Sequence, residues 1–208
     1  GKLLENTHTE WRASRHADAG RTCQVCHMPE RRHLWRGIHD PDMVRQALTT
    51  DIAIEPAGAA RLRVRAEVRN SGAGHYFPTY VVPKIWLRLI LIDAGGAERA
   101  NLAEALIARD VDIWLTEERS DTRLAPDAAL VLEAELQTPP EPGWQIELRV
   151  DVAPREHYER MFAGVLRDSS VELDGLTRGV LEAALVEARL SRYTALSLRR
   201  ALPEAIAN

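Results

Sequence analysis

Arg61-Leu62-Arg63-Val64-Arg65-Ala66-Glu67-Val68-Arg69 decides the fold class. Apolar and charged residues alternate with a period of two, which places one face of a β-strand against a core and the other in water. Three further stretches behave alike. Ile85, Leu87, Leu89 and Leu91 share one face of a strand that ends at Asp93-Ala94-Gly95-Gly96. Its opposite face, with Trp86, Ile90 and Ile92, is also mostly apolar, so this strand is expected to be central. Leu130, Leu132, Ala134 and Leu136 form another strand, stopped by Pro139-Pro140, and Ile146, Leu148, Val150 and Val152 one more. Weaker strands are expected near 51–56 and 105–116. About six strands without crossover helices argue for an antiparallel sandwich.

On either side of this block the period changes. Before it, Thr7-His8-Thr9-Glu10 reads as a capping box opening a helix through about Asp18, and Gly20 ends it. Asp40 followed by Pro41 reads as the N-cap and first turn of a second helix running to about Thr49. After it, from about Arg155, Leu173, Leu176, Val180, Ala184 and Ala188 recur at helical spacing and are expected to be core. Tyr193 to Leu202 is ambiguous and leans to a closing strand. The expected class is α+β: a short helical segment over 1–50, an antiparallel β-sandwich over 51–153, and a C-terminal helical segment over 154–208 that packs on the sandwich.

The first 50 residues hold both cysteines of the chain and five of its seven histidines. Cys23-Gln24-Val25-Cys26-His27 is a C-x-x-C-H run, the pattern that attaches haem c. Two thiols at that spacing can each form a thioether to a vinyl group, and the adjacent imidazole reaches the iron. A structural zinc site would need a second ligand pair, and a disulfide would leave His27 unexplained. The segment has too little apolar sequence to fold unaided, so the porphyrin itself would be its core. Trp11, Trp35, Tyr76 and Phe77 are the candidates to pack on the ring.

His27 is the proximal ligand in this reading, and the opposite face of the iron is open to His16, His75 or His39. His16 lies seven residues before Cys23, His39 precedes a helix cap, and His75 directly follows Gly74 in a loop that also holds Gly72. Met28 adjoins the proximal ligand and cannot reach the far side. His157 has no motif around it and is expected at the surface. Asp110, Asp112, Glu117, Glu118 and Asp121 read as a solvated charge cluster, and no catalytic acid–base or nucleophile set stands out.

Taken together, four segments resemble the cytochrome c-554-like branch of the bacterial multihaem c-type cytochromes. They are Glu10-Trp11-Arg12-Ala13-Ser14-Arg15-His16-Ala17, Thr22 to Pro29, Gly37-Ile38-His39-Asp40-Pro41, and Asn70-Ser71-Gly72-Ala73-Gly74-His75-Tyr76-Phe77-Pro78-Thr79. In similar proteins the last opens a β-sandwich appended to the haem segment. The resemblance spans roughly residues 7 to 152 and implies periplasmic or extracellular electron transfer, usually through bis-histidine haems. The family normally carries several C-x-x-C-H runs where this chain has one, so it is either a trimmed product or a single-haem relative. Tyr80 stands where a glycine is usual after Pro-Thr.

Composition narrows the function classes. A net charge of −4 with 45% apolar and 28% charged residues describes a globular chain for which nucleic acid is not an expected partner. Residues 1 to 50 carry a net +2, a mildly basic rim able to steer acidic redox partners. No apolar run approaches a membrane span. Gly1-Lys2 reads as a processing scar of a mature, trimmed form. The expected partners are redox proteins, a second copy or a multihaem complex. Two other functions stay open: a haem enzyme or ligand sensor with an open distal site, working on peroxide or nitrogen oxides, and an assembly module with a structural haem.

Overall fold

The computed structural model describes residues 3–58, 60–137 and 142–203. Gly1-Lys2 and the Pro139-Pro140 stop lie outside the described residues. The chain is α+β, with nine strands in antiparallel pairs. β1 (Leu48–Pro56), β2 (Arg61–Asn70) and β7 (Ala129–Gln137) form a three-stranded sheet with β2 in the middle. β3 (Lys84–Ile92) and β8 (Gln145–Ala153) form the centre of a four-stranded sheet, flanked by β4 (Glu98–Ile107) and β9 (Tyr193–Ala201). β5 (Arg109–Val111) and β6 (Glu118–Asp121) make a separate hairpin.

The alternation of β2 is visible in its burial. Leu62, Val64, Ala66 and Val68 are buried and face Ile85, Leu87, Leu89, Leu148 and Val150 across the sandwich. The arginines between them lie on the outer face, where Arg63 pairs with Glu135 on β7 and Arg65 and Arg69 with Glu67. Such exposed pairs each contribute about 0–1 kcal/mol. β3 is central, as its two apolar faces require. Its register against β4 slips between Leu89 and Ile90, so Leu91 is only half-buried while Ile90 and Ile92 are buried. Tyr193 to Ala201 is the closing strand and pairs along β8.

Three expectations are corrected at the helices. The helix from Thr7 is broken into α1 (Thr7–Arg12) and α2 (Arg15–Asp18). The N-cap is Asn6, and no capping box forms. The Thr7 hydroxyl bonds the Thr79 hydroxyl instead, and Glu10 accepts the Tyr76 amide at 3.0 Å. Both side chains are spent on docking the helix against the 70–79 loop.

His157, expected at the surface, is 5% exposed. It lies at the start of α5 (Glu156–Arg167), where its amide donates to Val82 O at 3.1 Å. Arg160, one turn on, donates to Val111 O and presses the helix onto β5. Lys84 sits beneath with Asp110 at 2.8 Å and Glu156 at 3.5 Å, so Asp110 is largely withdrawn from solvent.

The third correction concerns α6 (Gly175–Leu190). Of the stripe expected to be core, Ala188 is buried and Ala184 half-buried, yet Leu176 is 81% and Val180 61% exposed. A step of four residues in a helix of 3.6 per turn drifts by about 40° each time. The stripe therefore winds from the outer face to the inner one, and Leu181 and Leu185 share the packed side.

Candidate functional site

The loop from Asn70 to Thr79 is the structural hinge of the site, and the sandwich fixes it. Asn70 is fully buried, and its amide group donates to His75 O at 2.9 Å and Leu124 O at 3.0 Å. Its Oδ1 accepts the Ala73 amide at 3.1 Å. Phe77 exchanges backbone hydrogen bonds with Leu124 at 2.8 and 2.9 Å, and its side chain belongs to the sandwich core. Tyr76 lies under the Arg123 guanidinium, 5.0 Å from the ring centre. His75 is thus carried by a segment whose backbone is pinned on both sides.

The C-x-x-C-H run forms the short helix α3 (Cys23–His27). Cys23 and Cys26 are free, half-buried thiols. His27 bonds through Nδ1 to the Arg36 carbonyl, which fixes the ring and leaves Nε2 directed elsewhere. Arg36 is held in turn by a two-pronged ion pair with Asp40, the N-cap of α4 (Pro41–Ala47). Trp35 stacks on His27 with ring centres 5.4 Å apart and planes 20° off parallel.

On another side of His27 stands His75, with ring centres 6.2 Å apart and an interplanar angle of 17°. The His75 Nδ1 bonds the Tyr76 carbonyl at 2.8 Å, so its Nε2 too is left for another partner. Burial lowers the His75 imidazole from its ordinary range and keeps the ring neutral near pH 7.

The other candidates fall as follows. His16 is buried on α2 against Gly74, where a Cβ would stand 3.1 Å from the His16 ring, and its Nε2 has no partner among the described residues. Burial, with Arg15 and Arg21 nearby, lowers its pKa. His39 is exposed and has Arg155 as its charged neighbour. Trp11 is half-buried and donates to Arg21 O at 2.8 Å, closing the loop before α3. The acidic cluster is taken up by the protein: Asp112 closes a tight turn by accepting from Trp114, Thr116 and Glu117, and Asp121 pairs with Arg123.

Around α3 the protein supplies no core of its own. No residue between His16 and Val44 is buried, and Val25, Leu34 and Trp35 are 59%, 58% and 61% exposed. Besides the His27–His75 contact, the segment is tied to the described residues of the sandwich at its ends. α1 and α2 dock on the 70–79 loop, while Tyr193 donates to Ile38 O at 2.7 Å and Arg45 to Ala195 O at 3.2 Å. Two free thiols on one helix, two imidazoles whose Nδ1 atoms are engaged by backbone carbonyls and exposed apolar side chains form a donor set and a surface that fit a covalently attached haem.

Asp40 links this site to pH. Its hydrogen bond from Arg36, with those from the Met43 and Asp42 amides, lowers its carboxyl from 3.8 to about 2. The folded value lies below the unfolded one, so its contribution is complete above about pH 4 and is lost as pH falls toward 2. Asp40→Ala is expected to cost about 1 kcal/mol, the usual value of an N-cap. Asp40→Asn keeps the cap but flattens the acid limb, as thermal midpoints measured from pH 5 to pH 2 would show.

No family model and no curated protein matches the chain. Among solved structures, the fold is similar to that of a penta-haem cytochrome c552 from Thermochromatium tepidum, with a TM-score of 0.62 at 18% identity. The match covers 96% of this chain and 51% of that one, so the chain spans about half the length of its neighbour. A β-glucosidase from Paenibacillus barengoltzii aligns over 76% of this chain and 15% of its own at 15% identity, but its TM-score of 0.25 carries no argument. Among the described residues no helix is long and apolar enough to cross a membrane.

Proposed function

We propose that the chain is a c-type cytochrome that transfers electrons through one haem, tethered at Cys23 and Cys26 and ligated by His27 and His75. The pairing of His27 with His75 carries this reading. With their Nδ1 atoms engaged elsewhere, His27 and His75 would be the two imidazoles that hold the haem iron. The two rings stand 6.2 Å apart and 17° from parallel, each with Nδ1 engaged by a backbone carbonyl. A carbonyl on Nδ1 sets the tautomer and makes Nε2 a better donor. When bound, the haem supplies a one-electron Fe(III)/Fe(II) couple, and two basic imidazoles favour a low potential. The protein positions and shields: Arg36 O and Tyr76 O orient the ligands, and Trp35 packs along His27.

A second ligand on the iron leaves no place for peroxide or a nitrogen oxide, so this reading favours a carrier over a haem enzyme. Covalent attachment implies a periplasmic or extracellular setting, with redox proteins as partners. The half-length match to a penta-haem cytochrome supports a role within a larger multihaem assembly.

Absorption and electron paramagnetic resonance spectra test the ligand assignment. The ferric protein is expected to be low-spin and unmoved by cyanide or carbon monoxide. His75→Ala should become high-spin and bind both, while His16→Ala should stay low-spin. A low-spin His75→Ala protein would overturn the assignment.

A further inference from the structure

We propose that α6 is the contact face of a symmetric homodimer, in which two copies of the helix pack antiparallel about a two-fold axis at Ala183. This inference is independent of the haem. One side of α6 (Leu181, Ala184, Leu185 and Ala188) is turned inward, and α5 and α6 pack on each other. The opposite side is apolar and open. Leu176, Val180, Val186 and Leu190 are 81%, 61%, 53% and 79% exposed, and Ala183 between them is exposed as well.

The spacing of these residues identifies the occupant. Leu176 and Leu190 lie equally far from Ala183, one on each side, and so do Val180 and Val186. Turning a second copy end for end about Ala183 sets each leucine against a leucine and each valine against a valine. This is the self-complementarity that an isologous interface requires. Gly179, with open space where a Cβ would stand, falls opposite Glu187 of the other copy. The gap lets that carboxylate stay with Arg155, its partner at 3.2 Å. Antiparallel packing also opposes the two helix dipoles. An unrelated partner helix would have no need of a pattern symmetric about one alanine.

The four large side chains expose about 450 Å² of apolar surface, within the roughly 300–600 Å² of a monomer's largest and often functional patch. Two copies would bury up to about 900 Å² from these side chains, so with Ala183 and the stems of the flanking residues the contact falls at the low end for a specific interface.

Sedimentation equilibrium of the whole chain tests the proposal. A dimer is expected at about 50 μM, and Val180→Glu should weaken it at least about tenfold by placing a charge against Val186 of the other copy. Because Val180 is exposed, the variant should keep its circular dichroism and thermal midpoint. Under mild oxidation, Ala183→Cys should cross-link to its own mate faster than Thr177→Cys, with the unsubstituted chain as background. A monomer at every concentration, association unchanged in Val180→Glu, or equal cross-linking at the two positions would overturn it.

Discussion

Gly72→Ala is expected to destabilise the protein by about 3 kcal/mol or more, the upper end of what one inserted methyl costs in a packed site. For a chain of this size that lowers the thermal midpoint by roughly 6–12 °C. A Cβ at position 72 would stand 1.9 Å from the Gln46 carbonyl oxygen and 3.0 Å from the Ala47 Cα. Both are backbone atoms, so no rotamer change relieves the overlap, and either the loop or the end of α4 must move. The movement also breaks the Ser71 and Gly72 amide bonds to the Ala47 carbonyl, at 3.1 and 3.0 Å. Since His75 rides on the same loop, the substitution should do more than lower stability. Part of the ferric protein is expected to turn high-spin at temperatures where the sandwich is still folded. Gly37→Ala is the control, because its Cβ would meet nothing within 4 Å, and its midpoint should stay near that of the parent. Differential scanning calorimetry with parallel visible spectra separates the two effects, and an unshifted midpoint in Gly72→Ala would refute the packing argument.

That result bears on what could be read from the residues alone. β2, β3, β7 and β8 are legible because each carries an apolar face along nine or ten residues, and β2 shows its alternation with hardly an exception. Asp40-Pro41 is legible because a cap is a local device, and Asp40 accepts from the amides two and three residues on. Thr7 and Glu10 show where local reading ends. Their spacing fits a capping box, yet partners on the 70–79 loop win, and the same two side chains tie the helix to that loop. His157 misleads for a related reason: nothing in its neighbours signals that α5 lies on Val82 and β5. Leu176 and Val180 mislead in the opposite direction, because periodicity reports an apolar face without saying what covers it. The C-x-x-C-H run singles out Cys23, Cys26 and His27 as the proposed attachment site. The proposed choice of His75 over His16 and His39 rests on a contact far along the chain, where the pinning of the loop by Asn70 and Phe77 brings His75 to His27.

Replacing both cysteines, Cys23→Ala with Cys26→Ala, should give a colourless protein with no pyridine haemochrome, a sandwich that still melts cooperatively, and a loose N-terminal segment. The reason is the distribution of burial. Residues 17–43 include none that is buried, whereas Ile85, Leu87, Ile146, Leu148 and Val150 are fully enclosed between the sheets. The sandwich therefore has its own hydrophobic stabilisation, whereas the segment around α3, on the proposed function, depends on the haem its thiols and imidazoles would hold. Within that segment Glu30, Arg31 and Trp35 adopt left-handed backbone conformations, each costing about 1–3 kcal/mol in a non-glycine residue. On the proposal that haem forms the segment's core, the porphyrin would offset much of that cost. Amides between Cys23 and His39 should then exchange with solvent about 100-fold faster or more, as a locally open segment does. Those of β2, β3 and β8 should keep the protection of the parent. Hydrogen exchange followed by mass spectrometry reads both regions in one experiment. Equal protection across residues 23–39 with and without the thioether tether would mean that the segment folds by itself, and the proposal that haem forms its core would fall.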